Sequence, residues 1–226
     1  LTRIFGCTAV IFDLFQTLIP LKEGVPLRTL FAQAGRLDAT PDAALLRELY
    51  YSSADGRFPG VGGSMREAYA KLGVTPDEDL LREAVRHRTE RHHFGFRNLD
   101  PSVIRVLESL KELEVPIALL SNSDSEIVTP YPGSPLNAIF DVAVFSHEVG
   151  LSKPDTAIFE LAASRLGLPG SECLFVGDGA NREFEGARNA GMTTALVMRY
   201  ADASRRSEWE GFVDYVIEDI AELIPA

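Results

Sequence analysis

The sequence predicts an α/β fold: a doubly wound parallel sheet with an α-helical cap domain inserted after the first strand. Three observations carry that prediction. Short, continuously apolar runs recur along the chain, as expected of strands covered on both faces. Amphipathic helical stretches alternate with them, which is the pattern of βαβ units. Between the first run and Asp100, helical periodicity appears without a convincing strand.

The elements follow in chain order. Strands are expected at Thr8 to Phe12, Pro116 to Leu120, Val142 to Phe145, Cys173 to Val176 and Thr194 to Val197, with Tyr215 to Ile217 a weaker sixth. A helix from Pro101 to Leu113 places Val103, Val106, Leu107 and Leu110 on one face, and Asp100-Pro101 reads as its capped start. Pro154 to Leu166 repeats the device, with Ile158, Leu161, Ala162 and Leu166 as its apolar face. The intervening region reads as helices over Leu27 to Ala34, Ala43 to Tyr51, Met65 to Leu72 and Glu78 to Arg91. The glycine-rich Phe58 to Gly63 stretch reads as a break between them. The expected organisation is a core of residues 1–19 and 97–226, with residues 20–96 as a cap above the strand ends.

At 226 residues the chain can bury one core and carry a small second lobe. A net charge of −11 without a basic patch argues against nucleic-acid binding. The clusters at Arg82 to Arg91 and Arg205-Arg206 read as solvated helix faces. Cys7 and Cys173 lie beside apolar strands and read as buried free thiols, for which a reducing cytoplasm is the natural setting. The first apolar stretch is broken by Asp13 and lacks the flanks of a signal peptide, and no apolar run has the length of a membrane span. The expectation is a cytoplasmic protein with no membrane partner; its oligomeric state is left open.

Chemistry concentrates after four of the strands, whose carboxyl ends meet at one edge of such a sheet. The first loop supplies Asp13 and Thr17; the second supplies Ser121 and Asn122. The third carries Lys153 within Gly150-Leu151-Ser152-Lys153-Pro154-Asp155, and the fourth carries Asp178 and Glu183. Three acids in one cleft repel one another unless a hard divalent cation sits among them, and oxygen ligands beside a phosphate suit Mg²⁺. Ser121, Asn122 and Lys153 offer hydroxyl, amide and ammonium donors to an oxyanion, and a carboxylate can attack phosphorus or carbon. Structural alternatives stand beside these roles. Ser121 and Asn122 are good helix caps, Glu183 is an ordinary first-turn helix acid, and Asn181 reads as a cap.

The motifs Phe12-Asp13-Leu14-Phe15-Gln16-Thr17-Leu18, Leu120-Ser121-Asn122, Gly150 to Asp155 and Val176-Gly177-Asp178 through Glu183 occur in order, each after a strand. In this the chain resembles the haloacid dehalogenase superfamily of hydrolases, in the branch with a helical cap after the first strand of its Rossmann-like core. The resemblance implies Asp13 as nucleophile and metal ligand, with the Phe15 main-chain carbonyl as a second ligand. Thr17 would orient the nucleophile loop, Ser121 would bond the transferring group, and Lys153 would neutralise charge. Asp178 and Glu183 would complete a Mg²⁺ site. It also implies a small phosphorylated molecule as substrate, cleaved through an aspartyl-phosphate.

One position departs from the family's phosphatases. They carry a second aspartate two residues beyond the nucleophile, as acid and base, where this chain has Phe15. The family's dehalogenases lack that acid too, but they replace the acids of the fourth loop, which are present here. The phosphonate-cleaving branch uses a cap lysine, and the cap offers only Lys22 and Lys71. Three readings therefore stand: a Mg²⁺-dependent phosphohydrolase, hydrolysis of a 2-haloacid, and a non-catalytic sensor of a phosphorylated ligand. His87, His92 and His93 read as exposed helix residues, and Arg57 and Arg66 as surface residues.

Overall fold

In the computed structural model, which describes residues 2–41, 45, 60–201 and 203–225, six strands form one wholly parallel sheet. They are β1 (Ala9–Phe12), β2 (Ile117–Ser121), β3 (Val142–Phe145), β4 (Cys173–Gly177), β5 (Thr193–Val197) and β6 (Tyr215–Ile217). The order across the sheet is β3-β2-β1-β4-β5-β6. β1 is central, with Ile11 opposite Ala118 on one side and Phe175 on the other. The chain builds outward from β1 through β2 to β3, then crosses back and builds the other half from β4. The carboxyl ends of β1 and β4 therefore flank the switch point, where open α/β sheets form their crevice.

Period-two alternation divides the sheet's residues between two apolar clusters. Val10, Phe12, Leu119, Leu174 and Val176 join the cluster on one face; Ala9, Ile11, Ala118, Leu120 and Phe175 join that on the other. The Pro101–Glu112 helix buries Val103, Val106, Leu107 and Leu110, the face its spacing predicts, and Asp100 caps it by accepting from Ser102 N–H at 2.8 Å. The next predicted helix begins two residues late. It runs Thr156–Arg165, because Asp155 accepts from Ala157 N–H at 3.0 Å and so fixes the start. Its buried face is Ile158, Phe159, Ala162 and Ala163, with Leu161 and Leu166 only half-buried.

The inserted region contains helices Leu27–Ala34, Gly60–Lys71 and Glu78–Arg97. The predicted Ala43 to Tyr51 helix and Arg57 lie outside the described residues, apart from Leu45, which is helical. The predicted glycine-rich break is corrected over Gly60 to Gly63, which open a helix instead. Glycine's poor propensity is overridden by tertiary contact. Val61 N–H donates to the Glu126 carboxylate at 3.0 Å, while Val61 and Met65 are buried. The Glu78–Arg97 helix starts where predicted, with Asp77 accepting from Asp79 and Leu80 N–H. It runs a turn and a half beyond Arg91 because Gly95 and Phe96 continue its buried stripe. Among the described residues no helix is long and apolar enough to cross a membrane.

Candidate active site

β1 delivers Asp13 to the sheet edge, and its N–H continues the ladder by donating to the Val176 carbonyl at 2.9 Å. The following loop turns back on itself through Gln16, whose φ is +64°. That turn brings Thr17 Oγ1 to 3.0 Å from Asp13 Oδ2, as donor. The other carboxylate oxygen, Oδ1, accepts from Lys153 Nζ at 2.5 Å, and the same ammonium donates to Glu183 Oε2 at 2.7 Å. All four of these side chains are buried.

The fourth loop explains why two glycines flank Asp178. A Cβ on Gly177 would stand 2.2 Å from Glu183 Oε1, so the carboxylate occupies the space a side chain would need. Gly179 has φ +83°, a conformation glycine adopts without strain. Together with left-handed Asn181 and Arg182, it winds the loop so that Glu183 Oε1 accepts from Gly179 N–H at 2.9 Å. Asp178 Oδ1 accepts from Ala180 N–H at 3.0 Å. Asp13, Asp178 and Glu183 each offer a carboxylate oxygen, and the three atoms lie within 4.8 Å of one another.

Burying this many charges has a readable electrostatic consequence. Desolvation and the Asp13 charge raise Asp178 to about 6. Desolvation pushes Glu183 up to about 8; Lys153 opposes that shift, while Asp13 and Asp178 add to it. Burial works against charge on Lys153 as well, but Asp13 and Glu183 outweigh it and hold the lysine above its ordinary value. Three buried carboxylates thus crowd around Lys153, and burial resists charging all of them at once. Hard oxygen donors crowded in this way are the setting a divalent cation of the Mg²⁺ type fits.

Ser121 is the last residue of β2, opposite Phe145, rather than the first of the loop. Its hydroxyl is buried and has no hydrogen-bond partner among the described residues. Asn122 reaches a cavity of about 310 Å³ above Asp13, together with Lys153 and Asp178. Its side-chain amide clamps the lysine's main chain: Oδ1 accepts from Lys153 N–H at 2.8 Å, and Nδ2 donates to the Lys153 carbonyl at 2.9 Å. Phe15 lines the same cavity. Its ring meets His92 edge-on at 4.6 Å and Phe96 at 6.1 Å.

Sequence reasoning missed the far wall. Arg88, Arg91 and His92 on the Glu78–Arg97 helix line the cavity, as does Arg205. Arg88 is only 7% exposed and His92 6%, so the expectations of a solvated arginine face and of exposed histidines are corrected at these two positions. Burial and the Arg88 charge hold His92 well below the ordinary histidine value. The signal was present in the spacing: the buried stripe Leu81, Ala84, Arg88, His92, Gly95 keeps helical register while changing from apolar to polar. Arg66 does sit at the surface, paired with Glu78 at 2.6 Å.

Comparison with known proteins places this arrangement. A glyceraldehyde 3-phosphate phosphatase of Methanopyrus kandleri is 27% identical over 225 residues, spanning 96% of this chain and 95% of its own. A phosphoglycolate phosphatase of Pectobacterium atrosepticum is 27% identical over 211 residues, spanning 87% of each. Among solved structures, CbbY from Rhodobacter sphaeroides in complex with phosphate superposes with a TM-score of 0.62 at 21% identity, over 96% of each chain. The family model of haloacid dehalogenase-like hydrolases matches residues 7–191, and the chain belongs to that family of hydrolases.

Proposed function

We propose that the protein is a Mg²⁺-dependent phosphohydrolase acting on a small phosphorylated molecule, with Asp13 as nucleophile. The observation that supports this most is the buried Asp13–Asp178–Glu183 group beside Lys153, which suits a metal and a phosphoryl oxyanion together. The phosphatase relatives support the same substrate class. Asp13, Asp178 and the Phe15 carbonyl would hold the ion. Glu183 would hold it directly or through water. When bound, Mg²⁺ supplies charge neutralisation for the phosphoryl oxygens.

The remaining chemistry belongs to the chain. Asp13 attacks phosphorus, forming an aspartyl-phosphate as the ester P–O bond breaks; the leaving oxygen departs as an alkoxide or aryloxide and takes its proton from water, and a second water cleaves the aspartyl-phosphate, releasing phosphate and restoring Asp13. Thr17 fixes the carboxylate by its hydrogen bond, and Lys153 offsets the charge that accumulates on the phosphoryl oxygens. Ser121 donates its unsatisfied hydroxyl to the transferring group, and Asn122 keeps Lys153 in position. Residues 20–96 act as the cap that covers the cavity, and residues 1–19 and 97–226 as the core. Phe15 cannot protonate a leaving group, so turnover depends on leaving groups that need little proton help.

That same phenylalanine favours a second reading, hydrolysis at carbon with loss of halide, which requires no proton donor. A panel of aryl phosphates, alkyl phosphates and 2-haloacids, assayed with and without Mg²⁺, separates the two. The expected result is Mg²⁺-dependent release of phosphate, far faster from 4-nitrophenyl phosphate than from alkyl esters. Halide release without metal overturns the phosphohydrolase reading in favour of the second. Tight binding of a phosphorylated metabolite without turnover leaves the sensor.

A further inference from the structure

The acid loop after β4 leans on a part of the chain outside its own motif. The Ala203–Trp209 helix lies beyond the last of the four motifs, which ends at Glu183. From that helix two donors four residues apart, and therefore on one face, converge on a single acceptor. Trp209 Nε1 donates to the Gly179 carbonyl at 3.1 Å, and Arg205 Nη1 donates to the same oxygen at 3.4 Å. Trp209 is only 5% exposed, and its ring meets Phe184 and Phe212 edge-on, each at 5.3 Å. Packing thus seats the indole and aims its N–H at the loop.

Gly179 is shaped for that contact. A Cβ there would stand 2.4 Å from Trp209 Nε1, so glycine admits the indole as well as the positive φ. The held carbonyl belongs to the same peptide unit as the Ala180 N–H, which donates to Asp178 Oδ1 at 3.0 Å. A peptide unit is planar, so fixing its oxygen fixes the direction of the N–H on its opposite side. A bond accepted at the oxygen also strengthens the one donated at the nitrogen. One amide plane therefore joins a buried indole to a carboxylate of the three-acid group.

We propose that Trp209 is a positioning residue: through the Gly179–Ala180 peptide its indole N–H sets the aim of the Asp178 carboxylate, and so the affinity of the three-acid group for Mg²⁺. This assignment rests on the Mg²⁺-dependent phosphohydrolase reading and adds a residue that tunes it. Groups that orient a metal ligand are typically worth about 10–100-fold in affinity, and Trp209 acts one bond further out, so a loss of roughly threefold to tenfold is expected without its N–H.

The chain holds one tryptophan, so an analogue supplied during expression enters at position 209 alone. Benzothienylalanine keeps the fused ring and puts sulfur where the indole N–H was, whereas 4-fluorotryptophan keeps the N–H. Calorimetric titration with Mg²⁺ alone compares both proteins with the wild type and with Trp209→Phe. The dissociation constant should rise by that factor in the benzothienyl protein and in Trp209→Phe, and stay near wild type in the fluorinated one. Unfolded chains lower the number of sites per chain rather than the affinity, so partial unfolding does not imitate the result. The benzothienyl protein decides if Trp209→Phe fails to fold. In turnover of 4-nitrophenyl phosphate, the Mg²⁺ concentration for half-activation should rise in parallel, with kcat at saturating Mg²⁺ near wild type. An unchanged dissociation constant in the benzothienyl protein overturns the proposal and leaves the phosphohydrolase reading standing. Equal weakening in the fluorinated protein assigns the effect to packing, which overturns it too. A wild-type protein that binds no Mg²⁺ removes the phosphohydrolase reading, and the positioning role with it.

Discussion

Two side chains at the end of β1 decide what the site can do. Asp13 has one oxygen on Lys153 and the other on Thr17, so its orientation is fixed from both sides before substrate arrives. Asp13→Asn keeps the shape and removes the proposed nucleophile. Mg²⁺-dependent release of 4-nitrophenol is expected to fall to background, as a spectrophotometric assay would read; full retained activity would dismiss Asp13 from that role. Phe15 is the complementary case. It packs on His92 and Phe96 and presents carbon where a proton donor would help an alkoxide leave. Phe15→Asp should raise alkyl phosphatase activity, by up to the order of 10²–10⁴ that a positioned acid–base group contributes. Comparing alkyl with aryl esters in the same variant checks the cause, because the gain should be confined to the poorer leaving groups. The residues of the near wall were legible in the sequence because each lies in a short motif within the segment that follows an apolar strand. Arg88 and His92 were not, since on a helix rich in charge only their register with Leu81 and Ala84 marks them as buried.

At the level of elements, strands were easier to read than helices. β1 through β6 fall within a residue or so of their expected bounds, because short apolar runs buried on both faces leave little room for another assignment. One helix error was at Gly60 to Gly63. There a local breaker is held helical by Glu126, a residue sixty-five positions further along the chain, and composition carries no trace of such a contact. The β4 loop shows how tightly an element's chemistry limits its sequence. Gly177→Ala would push a methyl group into the Glu183 carboxylate, so a loss of about 1–3 kcal/mol is expected from overpacking. Chemical denaturation measures that loss. Calorimetry should show weakened Mg²⁺ binding in the same variant, because Glu183 is displaced. The Gly60–Lys71 helix rests on a second contact, from Ser64 Oγ to the buried Asp124 carboxylate at 2.7 Å. Ser64→Ala should cost about 1–3 kcal/mol in the same measurement.

Across the whole molecule, the parallel sheet gathers residues from four separate stretches of chain into one crevice, and its two apolar clusters keep both faces dry. Cys7 and Cys173 lie inside that dry interior, where burial raises both thiols, Cys173 to about 11. Raised thiols are protonated at neutral and mildly basic pH, and the thiolate is the reactive form. At pH 8 the folded protein should therefore show almost no fast reaction with Ellman's reagent, and two thiols per chain once guanidinium is added. Rapid labelling of the native protein would contradict the burial. The route from sequence to architecture was short because the alternation of strand and helix allows few topologies. The roof over the crevice was harder to read, because its side chains answer to distant partners rather than to their neighbours in the chain.

One consequence of those distant partners concerns the six residues from Ser121 to Glu126. Asn122 grips the backbone of Lys153, while Asp124 and Glu126, only two and four residues on, hold the start of the Gly60–Lys71 helix. The roof and the lysine's anchor are therefore bolted to the same short plank. Lifting the roof unfastens the Asp124 and Glu126 bolts together and leaves the plank held by Asn122 on Lys153 and by Ser123 on Ser146 and His147, so the mouth of the crevice and the seat of its ammonium share one support.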